Sequence, residues 1–244
     1  MIDKQEKAKS RLWEINGKNQ LLVKGEILVC NATARMLRIT TAIAIGVSLI
    51  LLQTIKPATA HHPMGGQTPS NLWEGLLSGI GHPIIGIDHL AFVVAIGLIA
   101  APATRGVLIP VCFIATAMLG TGFHLLIIDL PLVEMAIALS VVAFGVMLAV
   151  KQKLNIQLLA ILAATAGIFH GYAYGEAIIG AEITPLLAYL IGFSAIQLLI
   201  VLLAMKFVEL VNGHWQNQSF SLVRFFGLVI SAIGAVFFTT ALVS

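Results

Sequence analysis

The chain has 244 residues, 59% of them hydrophobic and 10% charged, whereas a soluble domain carries about 25% charged residues. That excludes a soluble globular protein, because too little polar surface exists to cover one and most side chains must face each other or lipid. The net charge of +3 is unevenly placed: residues 1–60 hold nine Lys/Arg against four Asp/Glu and residues 61–244 hold five against seven, so no basic patch remains to follow a phosphate backbone and nucleic acid is excluded as a partner.

Residues 1–35 form a charged extension without helical periodicity, and Met36-Leu37-Arg38 reads as a leader start, which makes Met36 a candidate initiator and residues 1–35 then untranslated. Arg35 and Arg38 precede an apolar stretch from Ile39 to Ile55 that ends in Pro57-Ala58-Thr59-Ala60, so residues 36–60 are predicted to be a secretory signal peptide cleaved after Ala60. The alternative is an uncleaved first transmembrane helix. Residues 61–244 are the predicted membrane domain. Runs able to reach the length of about 20 residues needed to cross a bilayer occur near 83–101, 107–128, 131–150, 154–178, 184–206 and 221–243. The predicted fold class is therefore all-α: a polytopic membrane helix bundle of six transmembrane helices behind a cleavable leader.

Cleavage after Ala60 puts the mature N-terminus outside. Arg105, Lys151, Lys153, Lys206 and Arg224 then all fall at the inner ends of the six spans, and the outer loops carry no Lys or Arg. The expected location is the inner (plasma) membrane, with both mature termini outside. Cys30 lies in the predicted leader and Cys112 inside an apolar run, so neither a disulfide framework nor a thiolate cage is available. In the fourth span Gly167, Gly171 and Gly175 repeat every fourth residue, a stripe that lets a neighbouring helix approach closely.

Ionisable groups within a membrane are costly and mark function by default. Here they are His82, Asp88, His89, His124, Asp129, Glu134, His170, Glu176 and, more loosely, Glu182. Counted along their spans at about 1.5 Å per residue, His89, His124, Glu134 and His170 all fall in the outer half. This predicts an outward-open polar pocket built from the first four spans. Imidazole and carboxylate without thiolate suit a divalent borderline ion such as nickel, cobalt or zinc. The candidate metal-binding residues are His82, Asp88, His89, His124, Glu134, His170 and Glu176. His82 and His89 are seven residues apart and share a helix face. Asp88 is rotated away by about 100° unless Pro83 and Gly86 distort the turn, and so is expected to orient an imidazole. His170 and Tyr174 are one turn apart and share a face. His61-His62 would open the mature chain, as a metal-collecting amine and imidazole pair or as an ordinary flexible terminus.

Two runs carry a family resemblance. His82-Pro-Ile-Ile-Gly-Ile-Asp88-His89 and Phe169-His170-Gly171-Tyr172-Ala173-Tyr174-Gly175-Glu176 resemble the two signatures of the HupE/UreJ family, hydrogenase and urease accessory membrane proteins regarded as nickel or cobalt permeases. The first matches in full. The second has Tyr174 where the family has a second His, and its Glu176 comes one residue early. The likeness extends over roughly residues 61–244 and implies a membrane permease with Ni²⁺ or Co²⁺ as cargo.

The expected activity is thus ATP-independent uptake of a divalent cation, with the ion as substrate and no permanently bound cofactor, in a non-enzyme. The chain lacks a Walker A sequence. Rival classes are an intramembrane zinc hydrolase, with three ligands and a carboxylate-activated water, a b-type haem carrier, and a non-transporting membrane partner for metalloenzyme maturation. Expected partners are the metal ion and the lipid bilayer, with a homo-oligomer or maturation proteins as further candidates.

Overall fold

A computed structural model describes residues 67–150, 155–214 and 219–243. The expected extension, the signal peptide, the His61-His62 pair and the Lys151 and Lys153 side chains lie outside these residues. The described residues form seven helices: α1 Leu72–Ile85, α2 Ile87–Ala100, α3 Leu108–Leu125, α4 Val133–Ala149, α5 Ile156–Glu176, α6 Ile183–His214 and α7 Ser219–Val243.

The chain enters α1 through an N-cap at Asn71, whose side chain accepts from the Glu74 N–H at 3.0 Å, while the Glu74 carboxylate accepts from the Ser70 N–H and hydroxyl at 2.8 Å. The Asn71 bond satisfies a donor that a helix start leaves orphaned, and the Glu74 bonds tie the preceding residue to the first turn. The helix contains Pro83 and stops at Gly86, which is extended at φ −70° and ψ 99°. α2 then leaves at 79° to α1. Gly86 is needed at the corner, because a Cβ there would stand 2.6 Å from Cδ2 of His89.

Three helix pairs surround α2, and each closes through glycine. Gly167 and Gly171 of α5 meet Phe113 and Ala117 of α3, Gly175 meets His124, and Gly120 of α3 meets Ile168 and Tyr172. The register advances together on both helices, so α3 and α5 are parallel neighbours, and the glycine stripe is their packing face. α1 and α6 are likewise parallel, with Gly75 against Pro185 and Gly79 against Tyr189. α4 and α7 are antiparallel, with Gly227 against Ala149, Gly145 against Ser231 and Gly234 against Val142. It follows that the turns 126–132 and 177–182 and the start of α1 share one end of the bundle. The Thr68 hydroxyl donates to the Ile179 carbonyl at 3.0 Å across that end.

α2 is the hub. It touches α1, α3, α4, α6 and α7, and Phe92, Val93, Ala95, Ile96 and Ala100 are fully covered. Apolar on every side, it is a core helix rather than an amphipathic one. The outer surface is apolar too: Leu119, Ile161, Ile191 and Leu203 are exposed, as lipid-facing positions must be.

The six-span expectation is met in part. Four helices are long and apolar enough to cross a membrane, and a fifth span results if the bent α1–α2 pair counts as one. The expected first span, 83–101, is instead two helices, divided at Gly86 because proline and glycine weaken the helical ladder there. α4, expected over 131–150, has 17 residues and is about 25 Å long, short of a hydrocarbon core of about 30 Å.

Glycine packing makes a paired prediction. Gly120→Ala pushes a methyl into the α5 backbone and is expected to destabilise by about 1–3 kcal/mol. Gly122, whose Cβ position is open, should tolerate alanine with unchanged or raised stability, since alanine is the better helix former by about 1 kcal/mol. Thermal unfolding of the detergent-solubilised variants checks both.

Candidate metal centre

The corner at Gly86 places the end of α1 beside the start of α2. His82, one turn before the break, and His89, one turn after it, have ring centroids 5.7 Å apart in an edge-to-face arrangement. Both are buried, at 3% exposure. They stay adjacent although the helix between them is broken.

α5 supplies the third imidazole. His170 is wholly buried, and its Nδ1 lies 2.8 Å from Nδ1 of His89. Its ring stacks on Phe92 of α2 at 4.4 Å and 26°. Its Nε2 lies 3.0 Å from the Ser140 hydroxyl of α4, which donates to the Ile137 carbonyl at 2.7 Å. Four helices therefore meet at these three histidines.

Tyr174 stands one turn beyond His170, within 4.6 Å of the His89 ring and 5.1 Å of the His82 ring by centroid. Its hydroxyl is buried and has no hydrogen-bond partner among the described residues. Tyr189 of α6 closes the cluster from the other side. Its hydroxyl donates to the Tyr174 carbonyl at 2.7 Å and lies 3.0 Å from Nδ1 of His82. A carbonyl can only accept, so the phenol proton is committed to it. The phenol oxygen must then accept from His82, which puts a proton on Nδ1 of His82.

Asp88 is buried at 8% exposure, but its Oδ1 accepts from the backbone N–H of His89 at 2.9 Å. It thus caps the first turn of α2 where an imidazole partner was expected. The acidic side chain also sits where the helix dipole favours it.

The remaining candidates lie elsewhere. His124 is partly buried with its ring on Tyr172 at 4.3 Å, and its Nδ1 has no hydrogen-bond partner among the described residues. Glu134 is exposed in the first turn of α4, and Glu176 is exposed at the last residue of α5. Asp129 and Glu182 are exposed in the adjoining turns at that same end of the bundle. Among the described residues no three His, Cys, Asp or Glu side chains are arranged to hold one ion together. The close cluster is thus two imidazoles across a helix break, a third behind them, and two phenols.

Sequence reasoning missed Tyr189. The available signal was that a tyrosine in an apolar run must find a partner for its hydroxyl.

The HupE / UreJ protein family matches residues 49–237. The chain belongs to the HupE / UreJ family. Protein HupE of Rhizobium leguminosarum bv. viciae is 29% identical over 159 residues, which is 64% of this chain and 80% of that protein. No solved structure matches. In this HupE / UreJ protein the two signature runs come together: His82, Asp88 and His89 from one, His170 and Tyr174 from the other.

Tyr189→Phe removes the acceptor of the His82 Nδ1 proton and the donor to the Tyr174 carbonyl, both buried. A loss of about 1–3 kcal/mol is expected, read as a lowered unfolding midpoint without loss of membrane insertion.

Proposed function

We propose that this HupE / UreJ protein is an ATP-independent permease that takes up divalent nickel or cobalt. The observation that carries the reading is the buried meeting of His82, His89 and His170, drawn from a broken helix and a second signature run inside an otherwise apolar bundle. Imidazole nitrogens at such a site replace part of the hydration shell of a borderline divalent ion. Buried histidines cost enough in an apolar bundle that a transported cargo is their simplest purpose.

The ion enters from the end that carries Asp129, Glu134, Glu176 and Glu182, where exposed carboxylates raise the local cation concentration. That end is the outer one by the distribution of Lys and Arg. An inside-negative potential favours inward movement of two charges by about 4.6 kcal/mol per 100 mV, so uptake needs no nucleotide. Few donors and retained waters keep the ion exchangeable, as conduction requires.

Beyond the histidines, α6 also buries the polar side chain of Gln197. It is fully buried; its Nε2 donates to the Phe193 carbonyl at 3.0 Å, and its Oε1 has no hydrogen-bond partner among the described residues. It lies two turns inward of Tyr189, about 12 Å along the helix, and offers the ion an oxygen there. Thr165 of α5 is exposed and its hydroxyl donates to the Ile161 carbonyl at 3.0 Å. It stands on the outer surface of α5.

Cells expressing the chain should accumulate radioactive nickel or cobalt. His89→Ala and His170→Ala should each reduce uptake to background while the protein remains in the membrane fraction. Full uptake in both variants would falsify the pocket.

A further inference from the structure

A hydroxyl among apolar helices can spend its proton on its own backbone. Thr116, Thr121, Ser140, Thr165 and Ser231 each donate to a carbonyl one turn back in the same helix. Ser78 of α1 and Ser194 of α6 do not, although the Glu74 and Leu190 carbonyls stand one turn behind them. Both Oγ atoms are buried without a hydrogen-bond partner among the described residues, as are the Tyr174 hydroxyl and Oε1 of Gln197. Ser78 is 1% exposed, and Tyr174 and Gln197 are 0% exposed.

These four atoms fall in order of depth. Ser78 lies one turn before His82 on the same face of α1, toward the end that carries Asp129, Glu134, Glu176 and Glu182. Tyr174 stands at the imidazoles, its ring 5.1 Å from that of His82. Ser194 and Gln197 lie about 8 and 12 Å beyond Tyr189 along α6, toward the opposite end. One turn past Gln197 the seam becomes apolar. Val201 and Ala204 press on Gly97 of α2, where a Cβ would stand 2.6 Å from Cβ of Ala204 and 2.8 Å from the Val201 carbonyl oxygen.

Buried oxygens are normally satisfied by protein or by ordered water, and polar groups inside a membrane bundle face one another or a water-filled cavity. We infer that Ser78, Tyr174, Ser194 and Gln197 line a hydrated route from the carboxylate end past the histidines, and that the packing of Val201 and Ala204 on Gly97 closes it. Ser78 lines the entrance and Gln197 the floor. Neutral hydroxyl and amide oxygens accept hydrogen bonds from the water shell of a passing divalent cation without trapping the ion. The route rests on the permease reading given above.

Thiol labelling tests it in the full chain with Cys30 and Cys112 replaced by serine. Ser78→Cys and Gln197→Cys should react with a cationic methanethiosulfonate about 10-fold or more faster than Val93→Cys, because a thiol needs water to ionise and react, and Val93 is fully buried in the apolar core. Saturating Ni²⁺ should slow both reactions. Rates no faster than that of Val93→Cys, in a chain that still accumulates nickel, would overturn the route alone. Fast labelling in a chain that accumulates no nickel would refute the permease reading and, with it, the route as an ion path.

Hydroxyl-radical footprinting of the unaltered protein avoids dependence on folded variants. Radicals generated from bound water should oxidise Tyr174, which is no more exposed than the core residue Phe113, and leave Phe113 unmodified. Equal protection of the two rings would contradict the route.

Discussion

A helix that starts inside an apolar bundle must find partners for its first N–H groups, because no water is there to take them. The structure depends on how α2 meets that constraint. Gly86 breaks the ladder, Asp88 bends back to accept the His89 N–H at 2.9 Å, and the corner leaves His82 and His89 facing across the gap. An unbroken helix would have placed those two imidazoles two turns apart along a single stripe. The turn that makes the fold awkward is also what brings the two imidazoles together.

The packing around α2 follows from small residues rather than from burial of large ones. Without a hydrophobic drive between helices in lipid, close backbone approach and interhelical hydrogen bonds hold a bundle together. Glycines on α1, α3, α4, α5, α6 and α7 allow that approach. The Thr121 hydroxyl adds a bond across the α3–α5 seam to the Gly171 carbonyl at 2.8 Å. Rigidity at this seam matters to the site, since His170 is borne on the adjacent residue and its ring is clamped between Ser140 and His89.

Much of this was legible in the sequence, for physical reasons. Apolar runs gave the helices, the small-residue stripe gave the α3–α5 face, and Pro83 with Gly86 marked the place where regular geometry could fail. Residue counting along a helix gives depth but not rotation about the axis. His124, Glu134 and Glu176 were placed at a suitable depth by that count. The structure turns His124 onto Tyr172 and leaves both glutamates exposed. The bonds from Tyr189 to His82 and from Ser140 to His170 span 107 and 30 residues; no local pattern encodes which distant hydroxyl will meet which ring. Tyr174, where the resemblance implies a second histidine, brings a phenol to the cluster, a group that must first shed its proton to bind a cation as an anion.

The central claim is that a divalent transition-metal ion sits at the helix corner between His82 and His89. Nickel-loaded protein imaged with anomalous scattering at the nickel edge addresses it most directly. A single peak within bonding distance of the buried imidazoles is the predicted result. A peak at the exposed carboxylates alone, or none at the corner in fully loaded protein, would contradict it.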